Sequence, residues 1–531
     1  MGSVVKLQSP VCSFSIKVSR MKLSLKKVVL ILSVVLSLHA QEQTDIPWQT
    51  LADSDWPMIK HDPQFTGRSP YKGPQTPTIV WTADLEDGIF SGPVIGEKGN
   101  LYFGSYHQLA DYFYKYSPDG KPLWSYQTGR DAAPQTGILI DYTSTIYFGA
   151  LDGYFYALNS DGTLKWEYAT EGYIFESTIP NIDLLGNIYF SNYDGYLFSL
   201  SREGELNWKV NYESGFHLRS AVFSPDGETI YIAGKDSSLF ALNLDGSIKW
   251  KFSCGQIQRA PMVDSDGNIY LQPKGLPQFL YSLFPDGNIR WEFLIQDIGP
   301  ADEYSIQTID NNGNIYFIGN DTVCCPYNLA LFSVDYNGNY RWKYVFDDAA
   351  PPEDFWQPLI CDSEGTVYVG STFGNFYYAI SSEGELKWKF PLNNYQVDNT
   401  GAIAEDGTLY LGVHQNSLFT GFEKTLIAIR DTGVVSVNDE EDLKKDFSLS
   451  QNYPNPFNPT TSIEYQVASS EMVSLKVYDV LGREIKTLIN EQKAPGNYSI
   501  AFDASNLSSG VYFYILEAGD VRLSKKMMLI K

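Results

Sequence analysis

The most reactive side chains in this chain are two adjacent cysteines, Cys324 and Cys325, in the stretch GNDTVCCPYN. Neighbouring cysteines in an oxidising compartment can close a strained vicinal disulfide. Equally, one of them can bridge to Cys254, or both can remain thiols, and spacing does not choose among these connectivities. Cys361, in the apolar run PLIC, reads as a small core residue. DSDGN (264–268) and DNNGN (310–314) imitate the start of a calcium loop but lack its distal Glu, so they read as turns. The five histidines (His39, His61, His107, His217 and His414) show no metal-ligand spacing, and GxSxG, HExxH, CxxC and GxGxxG are all absent. No catalytic residue and no metal ligand is assigned. A second group mixes carboxylates with aromatics: Asp302, Glu303 and Tyr304; Tyr327; Asp347, Asp348, Glu353, Asp354, Phe355 and Trp356. That mixture suits the rim of a glycan or peptide site, and solvated loops without a ligand are the alternative.

These residues are carried by a repeat. Trp81, Trp124, Trp166, Trp208, Trp250, Trp291, Trp342 and Trp388 are separated by 43, 42, 42, 42, 41, 51 and 46 positions. Tyr102, Tyr147, Tyr189, Tyr231, Tyr270, Tyr316, Tyr368 and Tyr410 keep the same rhythm. A period of about forty residues marks a solenoid, propeller or array. Asp-Gly and Asn-Gly pairs, as in DGTLKW (161–166) and NGNIYF (312–317), supply the positive φ of tight hairpins, and alternating apolar runs flank them. Each unit therefore reads as four antiparallel strands, and the expected fold is all-β: an eight-bladed β-propeller of four-stranded blades. The first Trp strand, TIVWTA (78–83), precedes any Tyr strand, while TLIAIR (425–430) has no Trp strand after it. The two chain ends are expected to share the last blade, which removes exposed sheet edges. In such a blade the turns joining strands one to two and three to four share one face. They are short here, and the long loops carrying the carboxylate-aromatic group fall on the other face, near blades five to eight. Variable loops on a rigid scaffold are where binding concentrates.

Charge narrows the partners. The chain carries a net −24, and the first forty residues hold six basic and no acidic residues, leaving 33 basic against 63 acidic beyond them. A surface so acidic repels nucleic acid, so no nucleic-acid partner is expected. Residues 21–40 combine the basic MKLSLKK with the apolar VVLILSVVLSL and a small residue, Ala40. That is the pattern of a secretory signal peptide with cleavage near Ala40, and it makes Met21 the expected start. The apolar run is too short for a span, so no transmembrane anchor is expected in the mature chain. No Cys follows the cleavage point, which speaks against a lipid anchor. The expected organisation is a leader (1–40), an N-terminal segment (41–77), the propeller (78–433), an acidic linker (434–446) and a small Ig-like β-sandwich (447–531).

Residues 447–531 contain QNYPNPFNPTT, VYDVLGREI, ASNLSSGVYFY and KKMMLIK in order. This segment closely resembles the type A C-terminal sorting domain of the type IX (Por) secretion system of Bacteroidetes-like bacteria. The resemblance implies recognition by an outer-membrane translocon, with delivery to the medium or outer cell surface after export to the periplasm. The repeat region, about 56–433, resembles the PQQ-like (quinoprotein dehydrogenase-like) family through its DG-x-x-x-W element and the segment DWPMIKHDPQFTGRSPYKGP (55–74). In that family the repeated Trp wedges between blades. The family includes PQQ-dependent dehydrogenases, some with a vicinal disulfide against the quinone, and members that bind none. The surroundings of Cys324 and Cys325 do not match the dehydrogenase context, nor do calcium ligands emerge. The resulting expectation is a non-catalytic exported propeller binding a protein, glycan or surface component. The alternatives are a PQQ- and calcium-dependent dehydrogenase and an envelope-assembly scaffold.

Overall fold

The computed structural model describes residues 41–531 except 86–87, 90, 107–111, 130–133, 135, 175–177, 213–218, 235–236, 258, 275–276, 297–305, 322–327, 347–357, 371–375, 393–396, 398–399, 415–423, 432–447, 453, 468–470, 480–482, 495, 519–520 and 531. The chain divides into two compact units, Met1–Thr432 and Gly433–Lys531.

Among the described residues, the first unit is almost wholly β, with one short 3-10 turn at Glu97–Gly99, and its strands form eight antiparallel sheets. A representative sheet runs Leu139–Ile140, Ile146–Gly149, Tyr154–Leu158 and Leu164–Ala169. Its first three strands are almost entirely buried, while the fourth alternates exposed and half-buried positions, as an outer edge strand should. The sheet closing the ring is assembled from both ends: Pro77–Leu85 pairs antiparallel with Lys424–Asp431. No covalent turn joins those two strands. Their pairing is correspondingly long, from Pro77–Asp431 to Leu85–Lys424.

Two aromatic devices explain why the repeat needs its Tyr and Trp. Within each sheet the two rings lie 5.7–6.1 Å apart, a separation at which aromatic pairs attract. Between sheets, each indole N–H donates to a main-chain carbonyl of the next sheet at 2.8–3.1 Å: Trp81 to Pro118, Trp124 to Ser160, Trp166 to Arg202, Trp208 to Leu244, Trp250 to Pro285, Trp291 to Tyr336 and Trp342 to Ser382. The ring also covers the turn glycine there. At Gly162, with φ +87°, an added Cβ would lie 2.7 Å from the Trp124 ring. Trp388 meets the seam, where no turn exists, and donates instead to Pro74 O at 2.8 Å. Beside it, Asp431 Oδ1 accepts the amides of Gln75 (2.6 Å) and Thr76 (2.5 Å). The two chain ends thus rebuild the missing turn from separate pieces, and the chain of indole bonds closes on itself.

The tyrosines are anchored by a carboxylate six residues upstream. Asp141, Asp183, Asp264, Asp310 and Asp362 accept the phenols of Tyr147, Tyr189, Tyr270, Tyr316 and Tyr368 at 2.7–3.0 Å. The second oxygen of Asp264 accepts the amides of Asp266 and Asn268. Both carboxylate oxygens of Asp264 are engaged by the protein, as in a capped turn.

The second unit packs a three-stranded sheet (Ser448–Leu449, Thr460–Val467, Gly496–Asp503) with a four-stranded one (Glu484–Lys493, Glu471–Asp479, Gly510–Ala518, Val521–Leu529). Ile463, Tyr465, Leu475, Val477, Tyr514 and Leu516 lie in its core.

Candidate functional site

Cys324 and Cys325 and all ten rim candidates (Asp302, Glu303, Tyr304, Tyr327, Asp347, Asp348, Glu353, Asp354, Phe355 and Trp356) lie outside the described residues. Of the remaining cysteines, Cys254 and Cys361 are free thiols, and burial pushes both up to about 12. Cys361 is fully buried, in keeping with a core role.

The structure places an unexpected group at the ring's centre. Residues 54–69 contact the first strand, or the turn after it, of every sheet. Trp56 bridges to Ile95 and Met58 to Leu139. Pro63 O accepts the amide of Phe223 and the Asn181 side chain. Gln64 O accepts from Val263, Thr66 O from Thr308, and Gly67 O from Cys361. Asp55 receives the amide of Glu405 in the eighth sheet. Sixteen consecutive residues can do this only if the eight first strands surround them. Asp55 touches a turn of the one-to-two set at Glu405, and the flanking Thr50 and Tyr71 touch two more at Tyr142 and Ser363. The crossing segment therefore closes the axis on the short-turn face.

Its middle carries buried ionisable groups. The Lys60 ammonium donates to Gln307 O (2.7 Å) and Leu359 O (2.8 Å), and no part of the residue reaches solvent. Burial pulls its pKa down to about 7, against the upward pull of Asp62 and Cys361. Asp62 is itself raised by burial, but the adjacent His61 and hydrogen bonds from the Thr66 amide and hydroxyl outweigh this and hold it below its usual range. Lys60, His61 and Phe65 all have left-handed φ, of 71°, 72° and 57°. An added Cβ on Gly67 would meet Lys60 Nζ at 2.5 Å. Backbone strain of this kind persists only where the surroundings over-determine it. A near-neutral amine could in principle act as base or nucleophile. Bonded to two carbonyls and sealed from solvent, Lys60 instead pins two neighbouring sheets to the axis.

Among the described residues no three His, Cys, Asp or Glu side chains are grouped to hold a metal. The axis on the short-turn side is filled by Met58, Lys60 and Phe65, all fully buried. Cys324 and Cys325, the residues that raised a quinone, lie outside the described residues. In the sequence the crossing segment stands out only by its family resemblance. The available signal was a lysine set in an apolar and aromatic stretch, WPMIKHDPQF.

In the second unit the Pro-rich segment is fastened to the last strand. Phe457 bridges to Leu529, Asn455 Oδ1 accepts the amide of Met528 (2.8 Å), and the Tyr514 phenol bonds Ser450 O and the Asn452 amide. No helix among the described residues is long and apolar enough to cross a membrane.

A ring of four-stranded sheets interlocked by aromatics, followed by a small β-sandwich, defines a propeller-type repeat protein with an accessory β-domain. Residues 73–211 and 193–419 match the PQQ-repeat family described as outer membrane protein assembly factor BamB, and the chain belongs to that family. Residues 451–531 match the secretion system C-terminal sorting domain. Among solved structures, the crystal structure of BamB from Moraxella catarrhalis is similar at 14% identity, covering 67% of this chain and 98% of that chain with a TM-score of 0.49. No curated protein matches significantly.

Proposed function

We propose that this protein is an exported, non-catalytic binding propeller delivered by the type IX system through its C-terminal domain to the cell surface or medium. The observation that carries this reading is the match of 451–531 to a sorting domain, within a stretch that forms a compact unit of its own. The axis is blocked on the short-turn face, which favours the opposite face for a protein, glycan or surface ligand. There the long loops bearing Asp302–Tyr304, Tyr327 and Asp347–Trp356 fall by sequence, and these residues remain the proposed contacts. The family name also raises a part in envelope assembly, with the propeller acting as a scaffold for other proteins.

The test is deletion of residues 448–531 in the producing cell, followed by fractionation. The expected result is retention in the periplasm, with the full-length protein reaching the surface or medium. Undiminished appearance of the truncated chain outside the cell would overturn the sorting reading.

A further inference from the structure

Strand alternation splits the segments that carry the sorting-domain resemblance into two sets. Val477, Tyr512, Tyr514, Met527 and Leu529 face the sandwich core and are buried. Tyr478, Val511, Phe513, Lys526 and Met528 alternate with them and face outward. The register aligns Tyr478 with Phe513 and Phe513 with Lys526; Val511 lies opposite Met528, and Lys476 opposite Ile515. Tyr478, Phe513, Val511, Met528 and Ile515 therefore form one continuous apolar patch on the outer face of the four-stranded sheet. Phe513 is 38% exposed, and Met472, further along the same face, is 59% exposed. Lys526 and two ion pairs, Lys476 with Glu484 and Arg522 with Glu517, edge the patch.

The other sheet shows that this is not the default. Its outer face presents Thr460, Ser462, Glu464 and Gln466 on one strand and Ser499, Ala501 and Asp503 on the next. A solvated sheet face should look like that, polar outward and apolar inward. The core half of the motifs is explained by burial in the sandwich, and the apolar outer half lies outside that core, with Tyr478, Val511, Ile515 and Met528 half-buried and Phe513 exposed. Exposed apolar patches rimmed by polar groups mark interaction sites.

We infer that the outer face of the sheet built from 471–479, 484–493, 510–518 and 521–529 is the surface by which the export machinery reads this domain. The partner is a protein of that machinery presenting an apolar patch with a carboxylate placed for Lys526, since Lys476 and Arg522 are already paired with Glu484 and Glu517 of this domain. Phe513 and Tyr478 are its aromatic anchors, in the manner of interface hot spots. This rests on the sorting reading above.

The experiment uses the full-length chain in the producing cell. Phe513→Ser and the strand-compatible pair Phe513→Thr with Ile515→Thr are compared with Ser462→Ala on the polar sheet and with deletion of 448–531. The exported fraction is measured alongside the melting temperature of each purified protein. Both Phe513 variants should lower export by about tenfold or more, the equivalent of about 1.4 kcal/mol at the interface, with melting unchanged and Ser462→Ala exporting normally. Lys526→Glu should lower export by a smaller factor. If deletion blocks export while folded Phe513 variants export within about twofold of wild type, the face assignment fails and the sorting reading stands. If deletion itself leaves export intact, the sorting reading fails.

Discussion

The two units use their aromatic residues differently. In the ring, all eight repeated Trp and their Tyr partners are committed to packing and hydrogen bonds, and nothing about them is left for a ligand to explain. In the C-terminal unit, Tyr478 and Phe513 lie on the outer face of a sheet, outside the buried core. Charge follows the same division: residues 41–431 hold 23 basic and 50 acidic side chains, whereas 448–531 hold eight of each. A strongly acidic scaffold is soluble and repels anionic surfaces. A neutral domain with an apolar face is suited to docking. Repetition here marks structure, and recognition is sought where a side chain has no structural work.

That contrast can be broken most forcefully at the inter-sheet junction. Gly162→Ala combines left-handed strain with a clash against the Trp124 ring. It should destabilise the protein by about 2–4 kcal/mol in denaturant unfolding. A cost below about 0.5 kcal/mol would remove the interlock from the account. Trp208→Leu forfeits the bond to Leu244 O and the ring contact with Tyr189, for an expected loss of about 2 kcal/mol. Phe513→Ser, measured in the same way, should stay within about 0.5 kcal/mol. If the two changes cost the same, the division between structural and free aromatics collapses.

The buried lysine gives a pH signature. Its folded pKa is about 7 and its ordinary value 10.5, so between these limits the unfolded chain holds the extra proton. Stability should therefore rise as pH increases from 7 to 9, by at most about 1.4 kcal/mol per unit. Lys60→Met should flatten that slope in urea titrations at the two pH values, and a wild-type slope of zero would contradict the sealed-amine picture. Above about 10 the buried phenols, raised by burial, pull the other way as the unfolded tyrosines ionise. The smallest effect is expected from Tyr189→Phe. It deprives Asp183 of one of its hydrogen bonds and should cost about 1 kcal/mol.

The ring was legible because its determinants repeat: Trp spacing, Tyr spacing and Asp-Gly turns each recur often enough to be seen in one chain. The Asp six residues before five of the tyrosines was equally visible, and its role needed only the geometry of a capped turn. The crossing segment was not legible. It is used once, and it touches its neighbours mainly through carbonyls and amides, which any residue supplies, so Lys60 and Gly67 carry no pattern. The rim candidates follow from loop length and residue type, properties of the chain rather than of a surface. In the C-terminal unit the motifs were readable as a family likeness. Only the strand register divides their residues between core and outer face.

The claim on which the rest depends is that the chain's own ends and its crossing segment close the ring. Hydrogen exchange on the mature protein tests it directly. Amides of 77–85 should be protected as strongly as those of the equivalent outer strand 164–169, and Asp431→Ala should lower protection at 77–85 and at Trp388 while sparing 164–169. Rapid exchange across 77–85 in the unaltered protein, with the other outer strands protected, would show an open ring and contradict the account.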